Sequence, residues 1–150
     1  MIIVLQRVSE AAVTIEERVA GQISKGLLLL VGIEEEDSRD DVDWLSKKVA
    51  QMRIFADADD KMNLSVQDVQ GQLLVISQFT LHASTKKGNR PSFIKAAKPD
   101  VAIPLYEAFI DALGDLIERP VETGEFGANM QVSLVNDGPV TIIIDSKNRQ

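Results

Sequence analysis

The chain has 150 residues, a length typical of one domain, so we expect a single domain over residues 1–150. Hydrophobic residues make up 45% of it, which is enough for a sizeable core, and the formal net charge of -7 favours solubility. Cysteine is absent, which excludes disulfide bonds and thiol catalysis.

The first residues do not resemble a targeting segment. Met1 leads directly into an apolar strand-like run, with no basic region before it and no small-residue cleavage site after it. The longest apolar run, Leu27–Val31, is much too short to cross a bilayer. We therefore expect a soluble cytoplasmic protein.

The first third of the chain predicts strands. Ile2–Val8 forms the first, and Ala12–Ile15 and Arg18–Ile23 form a hairpin around Glu16-Glu17. Gly26–Ile33 is a continuous apolar run, which indicates a strand buried on both faces.

A helix is predicted next. Ser38 is the candidate N-cap, and acidic residues occupy the first turn. Apolar residues then recur at helical spacing, at Val42, Leu45, Val49 and Met52.

Residues Phe55–Met62 predict a polar turn region. Its aspartates, Asp57, Asp59 and Asp60, superficially resemble a calcium loop. They lack the glycine and the closing glutamate that an EF-hand needs, so a solvated turn is favoured.

The second half begins with a strand at Leu73–Ser77 and a long loop from about Thr80 to Pro99. A second amphipathic helix follows at Asp100–Ile117, and its apolar stripe contains Leu105, Phe109, Leu113 and Leu116 or Ile117. Two further strands are predicted at Gln131–Val135 and Val140–Ile144.

This mixture of elements predicts an α+β (mixed α/β) domain, with two main helices packed on a largely antiparallel sheet. Strands occur at both ends of the element order, so the sheet edges need protection, which dimerisation can supply.

Charge is distributed unevenly along the chain. No Asp or Glu occurs from Val69 to Pro99, whereas five cations do: Lys86, Lys87, Arg90, Lys95 and Lys98. An acidic protein with one basic segment suits contact with a polyanion at one place. The alternative is a solvated basic loop without a partner.

Several site types are excluded or disfavoured. His82 is the only histidine, so a zinc site of histidines and cysteines is impossible, and we expect this lone loop histidine to be exposed. Neither of the glycine-rich phosphate-binding patterns occurs.

Ser77–Leu81 leaves a predicted strand with two hydroxyls and an amide side chain. Such a strand end can present backbone N–H groups that stabilise a developing oxyanion. The same residues can equally serve only to complete the turn.

Asn136–Thr141 lies between two predicted strands and contains Gly138-Pro139. A cis Gly-Pro peptide would direct carbonyl groups outward, where they can accept hydrogen bonds from an ammonium group. An ordinary hairpin turn is the alternative.

Together, Ser77–Leu81 (SQFTL) and Asn136–Thr141 (NDGPVT) resemble the two signature motifs of the D-aminoacyl-tRNA deacylase family, often called D-Tyr-tRNA deacylases. Further segments resemble the family in the same order along the chain: Val4–Val8, Met52–Phe55, Lys61–Leu64, Gly88–Phe93 and Met130–Val132. His82–Thr85 departs from the Ala-Asp-Thr expected there, which concerns only local loop contacts.

The resemblance implies a barrel-like homodimer with cross-subunit active sites. Such enzymes hydrolyse the ester between a D-amino acid, or glycine, and the 3′ end of tRNA, and they exclude L-amino acids. Neither a cofactor nor a metal is implied. The basic segment then has a partner, the phosphates of the acceptor stem.

The resemblance also implies roles for individual residues. Gln78, Phe79 and Thr80 would surround the scissile ester. The partner subunit's cis Gly138-Pro139 would hold the α-ammonium group and exclude L side chains, and Arg7 would brace that dipeptide. The remaining implied pocket residues are Ser77, Asn136, Phe126 and Met130.

Two other functions stay open on sequence grounds. One is a module that binds an RNA end or a small ligand without hydrolysis, and the other is a purely structural dimer. Turnover of an ester substrate separates the enzyme from both.

Overall fold

A computed structural model describes all 150 residues. Its two helices are α1 (Arg39–Gln51) and α2 (Pro99–Ile117). The strands are β1 (Ile2–Ile15), β2 (Arg18–Ile23), β3 (Gly26–Gly32), β4 (Phe55–Ala56), β5 (Met62–Leu64), β6 (Gln72–Ser77), β7 (Glu122–Thr123) and β8 (Gln131–Asp145).

Six strands form one sheet in the order β2-β1-β3-β6-β7, and β8 pairs with β1. The pairings of β1 with β2, β3 and β8 are antiparallel, whereas β3–β6 and β6–β7 are parallel. The predicted class, two helices on a largely antiparallel sheet within one domain, is confirmed.

The first strand is longer than its sequence suggests. Residues Ile2–Val8 and Ala12–Ile15, predicted as separate strands, belong to β1 without a break. The inward–outward alternation is interrupted at Ser9 and Glu10, next to an irregularity in the pairing with β8. The predicted turn is correct, and Glu16 and Glu17 both have positive φ, as in the tight turns that match strand twist.

Both helices pack together and enclose the main core against the sheet. Helix α2 buries Tyr106, Phe109, Leu113 and Ile117, which resolves the predicted stripe in favour of Ile117 over Leu116. Strand β3 is buried on both faces as predicted, and a smaller apolar cluster lies on the opposite side of the sheet. No helix is long and apolar enough to span a membrane.

The predicted polar turn after Phe55 is present, but it joins two short strands that the sequence did not indicate, β4 and β5. The Asp57 carboxylate accepts backbone hydrogen bonds from Lys61 and Asp59, at 3.0 and 2.9 Å. These bonds, chiefly the one from Lys61, lower the pKa of Asp57. The carboxylate therefore caps a turn.

Helix α1 begins at the predicted cap. The backbone N–H of Ser38 donates to the Asp41 carboxylate at 2.9 Å, which satisfies a group at the helix start. Asp41 is buried and also accepts hydrogen bonds from Ser146 Oγ at 2.6 Å and Lys147 Nζ at 3.1 Å. Helix α1 is thereby joined to the segment that follows β8.

Trp44, the only tryptophan, lies on α1 between two cations. The guanidinium of Arg149 is 4.6 Å from the ring centroid and Lys48 Nζ is 5.3 Å away. Both distances are typical of cation–π contacts, so the C-terminal residues lie against the exposed side of the helix.

The Asp41 network predicts acid sensitivity. Burial alone would raise the pKa of Asp41, but the bonds from Ser146, Ser38 and Lys147 lower it to about 2. The stabilisation is therefore complete above the unfolded-state pKa and is lost as the pH falls towards 2. We expect Asp41→Asn to lower the free energy of unfolding by about 2 kcal/mol at pH 7.

Urea unfolding between pH 7 and pH 2.5 measures this effect, and the difference from wild type should narrow below about pH 4. Asp40→Asn is the matched control, because Asp40 pairs with Arg149 on the surface and should contribute about 0.5 kcal/mol or less. A difference for Asp41→Asn that is the same at every pH would contradict the assignment.

Candidate active site

A cavity of about 250 Å³ lies beside the adjacent ends of β3 and β6. Most of its lining is apolar. Five residues singled out from the sequence line it together: Ser77, Gln78, Phe79, Phe126 and Met130. The fold therefore brings these predicted residues into one space, and their roles toward a substrate stay a prediction.

The parallel pairing of β3 and β6 positions the segment at the cavity. Ser77 is paired with Val31, and the N–H of Gln78 donates to the carbonyl of Val31 at 2.7 Å. The chain then forms a 3-10 helix over Phe79–His82, where the sequence predicted a loop.

The polar side chains that line the cavity are Ser77 and Gln78, which precede this short helix, whereas Thr80 lies in the helix and does not line the cavity. The N–H groups of Phe79 and Thr80 have no acceptor within the helix, because they belong to its first turn. The Thr80 hydroxyl accepts a hydrogen bond from Gln78 Nε2 at 2.5 Å. No carboxylate or imidazole is hydrogen-bonded to this hydroxyl, so Thr80 lacks the base that a nucleophile needs.

Tyr106 supports the cavity from α2. Its hydroxyl donates to the carbonyl of Val75 at 3.0 Å, and its ring packs against Phe126 with centroids 5.8 Å apart. Burial raises the pKa of Tyr106 to about 12, so the phenol is neutral at physiological pH. Tyr106 thus connects the helix to β6 directly behind the cavity.

Sequence reasoning missed part of the lining, namely Val31, Ile33, Ala97, Ala102 and Ala128. These are small or aliphatic residues that carry no chemical signal. The pairing of β3 with β6, which is not encoded in any local pattern, positions Val31 and Ile33. The three alanines reach the cavity through α2 and the segments before and after it, which pack against these strands.

His82 differs from its prediction. It is 6% exposed rather than solvent-accessible, and its Nε2 atom has no hydrogen-bond partner. The 3-10 helix packs against Gly32, where an added Cβ would lie 2.9 Å from Leu81 Cβ and 3.1 Å from His82 Cδ2. The missing side chain at Gly32 therefore lets the imidazole be buried.

The second motif forms a protrusion on β8. The sequence predicted two strands here, but β8 is one strand that bulges: Val8 pairs with Asn136 and Gln6 with Thr141, so four residues, 137–140, stand opposite Arg7 alone. The Asn136 amide closes the base of the bulge. It accepts from the N–H of Val140 at 2.8 Å and donates to Thr141 Oγ1 at 3.1 Å.

Arg7 holds this bulge in place. Its side chain donates to the carbonyls of Asp137 at 2.9 Å and Ile54 at 2.6 Å, next to the dipeptide that it is predicted to brace. The Gly138-Pro139 peptide is cis, and both residues are exposed. Gly138 has φ of +142°, and a Cβ there would lie 3.1 Å from Arg7 Nη2, which favours glycine at this position.

Within one chain, the bulge and the cavity are separate. Arg7 pairs with Leu27 on β3, whereas Ser77 pairs with Val31, four residues further along that strand. This register separates the two features by roughly 13 Å along the strand direction. Arg7, Asn136, Gly138 and Pro139 do not line the cavity.

The five predicted cations of the basic segment are all exposed, and none forms an ion pair. The segment is tied near its centre by mutual backbone hydrogen bonds between Ser84 and Ser92, at 2.8 and 2.9 Å. Its charges are therefore free to contact an anionic partner.

Comparison with known proteins identifies the family. The family model for D-Tyr-tRNA(Tyr) deacylase matches residues 4–145. The chain is 64% identical to a D-aminoacyl-tRNA deacylase of Akkermansia muciniphila and 60% identical to one of Flavobacterium johnsoniae, each over 100% of both chains.

Solved structures share the fold. A structure titled c-Myc DNA Unwinding Element Binding Protein is 37% identical, with a TM-score of 0.90 over 97% of this chain and 98% of the other. A probable eukaryotic D-amino acid tRNA deacylase has the same fold at 15% identity, with a TM-score of 0.81 over 95% and 97%. Because the family model covers residues 4–145 and the Akkermansia and Flavobacterium relatives are at least 60% identical over the full length, this chain belongs to the D-Tyr-tRNA deacylase family.

Proposed function

We propose that this protein hydrolyses the ester bond of D-aminoacyl-tRNA, releasing the free D-amino acid and tRNA. The observation that carries the proposal is the end-to-end match to D-aminoacyl-tRNA deacylases, with the SQFTL segment at an apolar cavity. The products are those of a carboxylic ester hydrolase. The substrate is made in the cytoplasm, where we expect the enzyme to act.

The backbone of the 3-10 helix supplies the oxyanion site. The free N–H groups of Phe79 and Thr80 would donate to the ester oxygen as it gains negative charge. Fixed donors of this kind stabilise the tetrahedral intermediate without reorganisation during the reaction. Gln78 and Phe79 would flank the ester, and the side-chain end of the substrate would enter the cavity.

Activation of water is assigned to the substrate. Thr80 has no base, and none of the side chains that line the cavity is titratable. The 2′-hydroxyl of the terminal ribose lies next to the ester in every such substrate, and we propose that it helps to activate the attacking water. The protein then contributes orientation and the oxyanion site.

Discrimination between D- and L-aminoacyl groups takes place at the interface of a homodimer. Strand β8 pairs with β1 on one edge only, and it exposes Leu134, Val135 and Ile143, as expected of a face that a second subunit covers. We propose that the bulge of one subunit reaches the cavity of the other. Its carbonyl groups would bind the α-ammonium, and the backbone would leave no room for an L side chain.

The basic segment binds the nucleic acid. Its unpaired cations, Lys86, Lys87, Arg90, Lys95 and Lys98, would contact phosphates of the acceptor stem. Such contacts position tRNA without reading its sequence, which suits an enzyme that acts on many tRNAs. Glycine, which has no side chain to exclude, is a further substrate when mischarged on tRNA-Ala.

The purified protein should release D-tyrosine from D-Tyr-tRNA in the presence of a chelator and leave L-Tyr-tRNA intact. Loss of the amino acid from each substrate over time measures both activities. Hydrolysis of neither would favour a binding module instead, and hydrolysis of both would refute the chiral role of Gly138-Pro139.

Thr80→Ala should retain the reaction. Because the hydroxyl only accepts a bond from Gln78, its loss should lower kcat by about tenfold or less. Thr80→Ser, which keeps the hydroxyl, is the control. A folded Thr80→Ala protein that binds tRNA but has no activity would refute the proposal that the reaction proceeds without the Thr80 hydroxyl.

Cross-subunit assembly is tested by mixing two inactive variants. Ala128→Trp fills the cavity, and Gly138→Ala disturbs the bulge. A mixed dimer keeps one intact site, so equal amounts should regain about a quarter of the wild-type activity after subunit exchange. Light scattering and circular dichroism confirm that each variant is folded and dimeric. If no activity returns although subunit exchange is verified, the cavity and the bulge of one active site come from the same subunit.

A further inference from the structure

Two neighbouring apolar side chains of the basic segment are exposed to solvent. Ile94 is 90% exposed and Phe93 is 37% exposed. Other large exposed hydrophobic residues, such as Val135 and Ile143, lie on a strand with a free edge that another subunit can cover. Phe93 and Ile94, which we call the Phe93–Ile94 patch, lie outside the sheet.

The patch is held in a defined place. Ala96 N–H donates to the carbonyl of Phe93 at 3.0 Å, and Ala97 N–H donates to that of Ile33 at 2.9 Å. The ring of Phe93 packs edge-to-face on Phe79, with centroids 5.1 Å apart and planes at 74°. The patch therefore continues outward from the segment that borders the cavity.

Its surroundings define the partner. The patch lies in a stretch of the chain with five unpaired cations and no acidic residue from Val69 to Pro99. The acidic residues that contact the end of this stretch do so through its backbone: Glu34 bridges Ala96, and Glu35 accepts from the N–H of Lys98 at 2.9 Å. Cations beside an exposed aromatic side chain are the pattern that binds single-stranded nucleic acid, where bases stack on the ring and phosphates contact the charges. An exposed aliphatic neighbour such as Ile94 adds van der Waals contact to the same bases. A base-paired stem offers mainly phosphates to such a surface and would leave the apolar groups unused.

We infer that the Phe93–Ile94 patch binds the unpaired nucleotides that precede the terminal adenosine of tRNA. This assignment rests on the proposed function, because the substrate's 3′ end must lie at the cavity for the preceding bases to reach the patch. The patch thus positions the substrate through its single-stranded end, separately from the groups around the ester.

Steady-state kinetics on two substrates test the assignment. D-Tyr-tRNA carries the preceding nucleotides, whereas D-tyrosyl-adenosine lacks them. Ile94→Ser and Phe93→Leu should each raise KM for D-Tyr-tRNA by about tenfold with kcat little changed. Neither should alter the kinetics on D-tyrosyl-adenosine. Val19→Ser, which replaces another exposed β-branched residue, is the matched control and should change neither substrate.

Either of two results would overturn the assignment of the Phe93–Ile94 patch to the unpaired nucleotides. Unchanged KM for D-Tyr-tRNA in Ile94→Ser means that the bases do not contact it. Equal losses on both substrates mean that the substitutions act through the cavity.

Direct binding separates this inference from the proposed function. Wild-type protein should bind a six-nucleotide single-stranded RNA ending in CCA, and both patch variants should bind it about tenfold more weakly. If the wild-type protein hydrolyses neither ester, the proposed function fails, but this binding measurement still tests whether the patch binds single-stranded RNA. Equal binding by wild type and variants, or a preference for a blunt RNA duplex, would refute it.

Discussion

The architecture depends on the pairing of β1 along both of its edges. Its first half lies between β3 and β8, and its second half lies between β2 and β8. Through β3 it supports β6, which delivers Ser77 to the cavity, and through β8 it faces the bulge at Arg7. A single strand therefore fixes the positions of both signature motifs.

The two motifs lie in separate places within one chain, and each supplies groups that the other lacks. A cavity lined by apolar groups and backbone donors can stabilise a developing charge, but it has little with which to bind an ammonium group. The bulge presents the exposed Gly138-Pro139 dipeptide, and Arg7 holds it through one hydrogen bond to Asp137 and a second to Ile54. In the proposed dimer, neither element recognises the substrate alone, so binding and chirality are decided together.

The sequence was informative wherever the signal was local. The turn at Glu16-Glu17, the doubly buried β3, the Ser38 cap and both helices were predicted correctly. Errors arose where partners distant in sequence decide the outcome. Strands β1 and β8 are continuous through polar residues because each is held by the other.

In the candidate site, too, features with a local sequence signal were predicted, and features that depend on distant residues were not. Ser77 and Gln78 were identified from a motif, and so was the cis peptide at Gly138-Pro139. The burial of His82 depends on Gly32 in a neighbouring strand, and the aliphatic cavity walls come from packing of β3 and α2. Neither feature leaves a pattern in the local sequence.

The location of Trp44 has a spectroscopic consequence. The only indole in the chain is on α1, between Lys48 and Arg149, and does not line the candidate cavity. Its emission therefore reports on the docking of the C-terminal residues against α1. Intrinsic fluorescence follows that contact during unfolding, whereas occupancy of the cavity needs a reporter placed elsewhere.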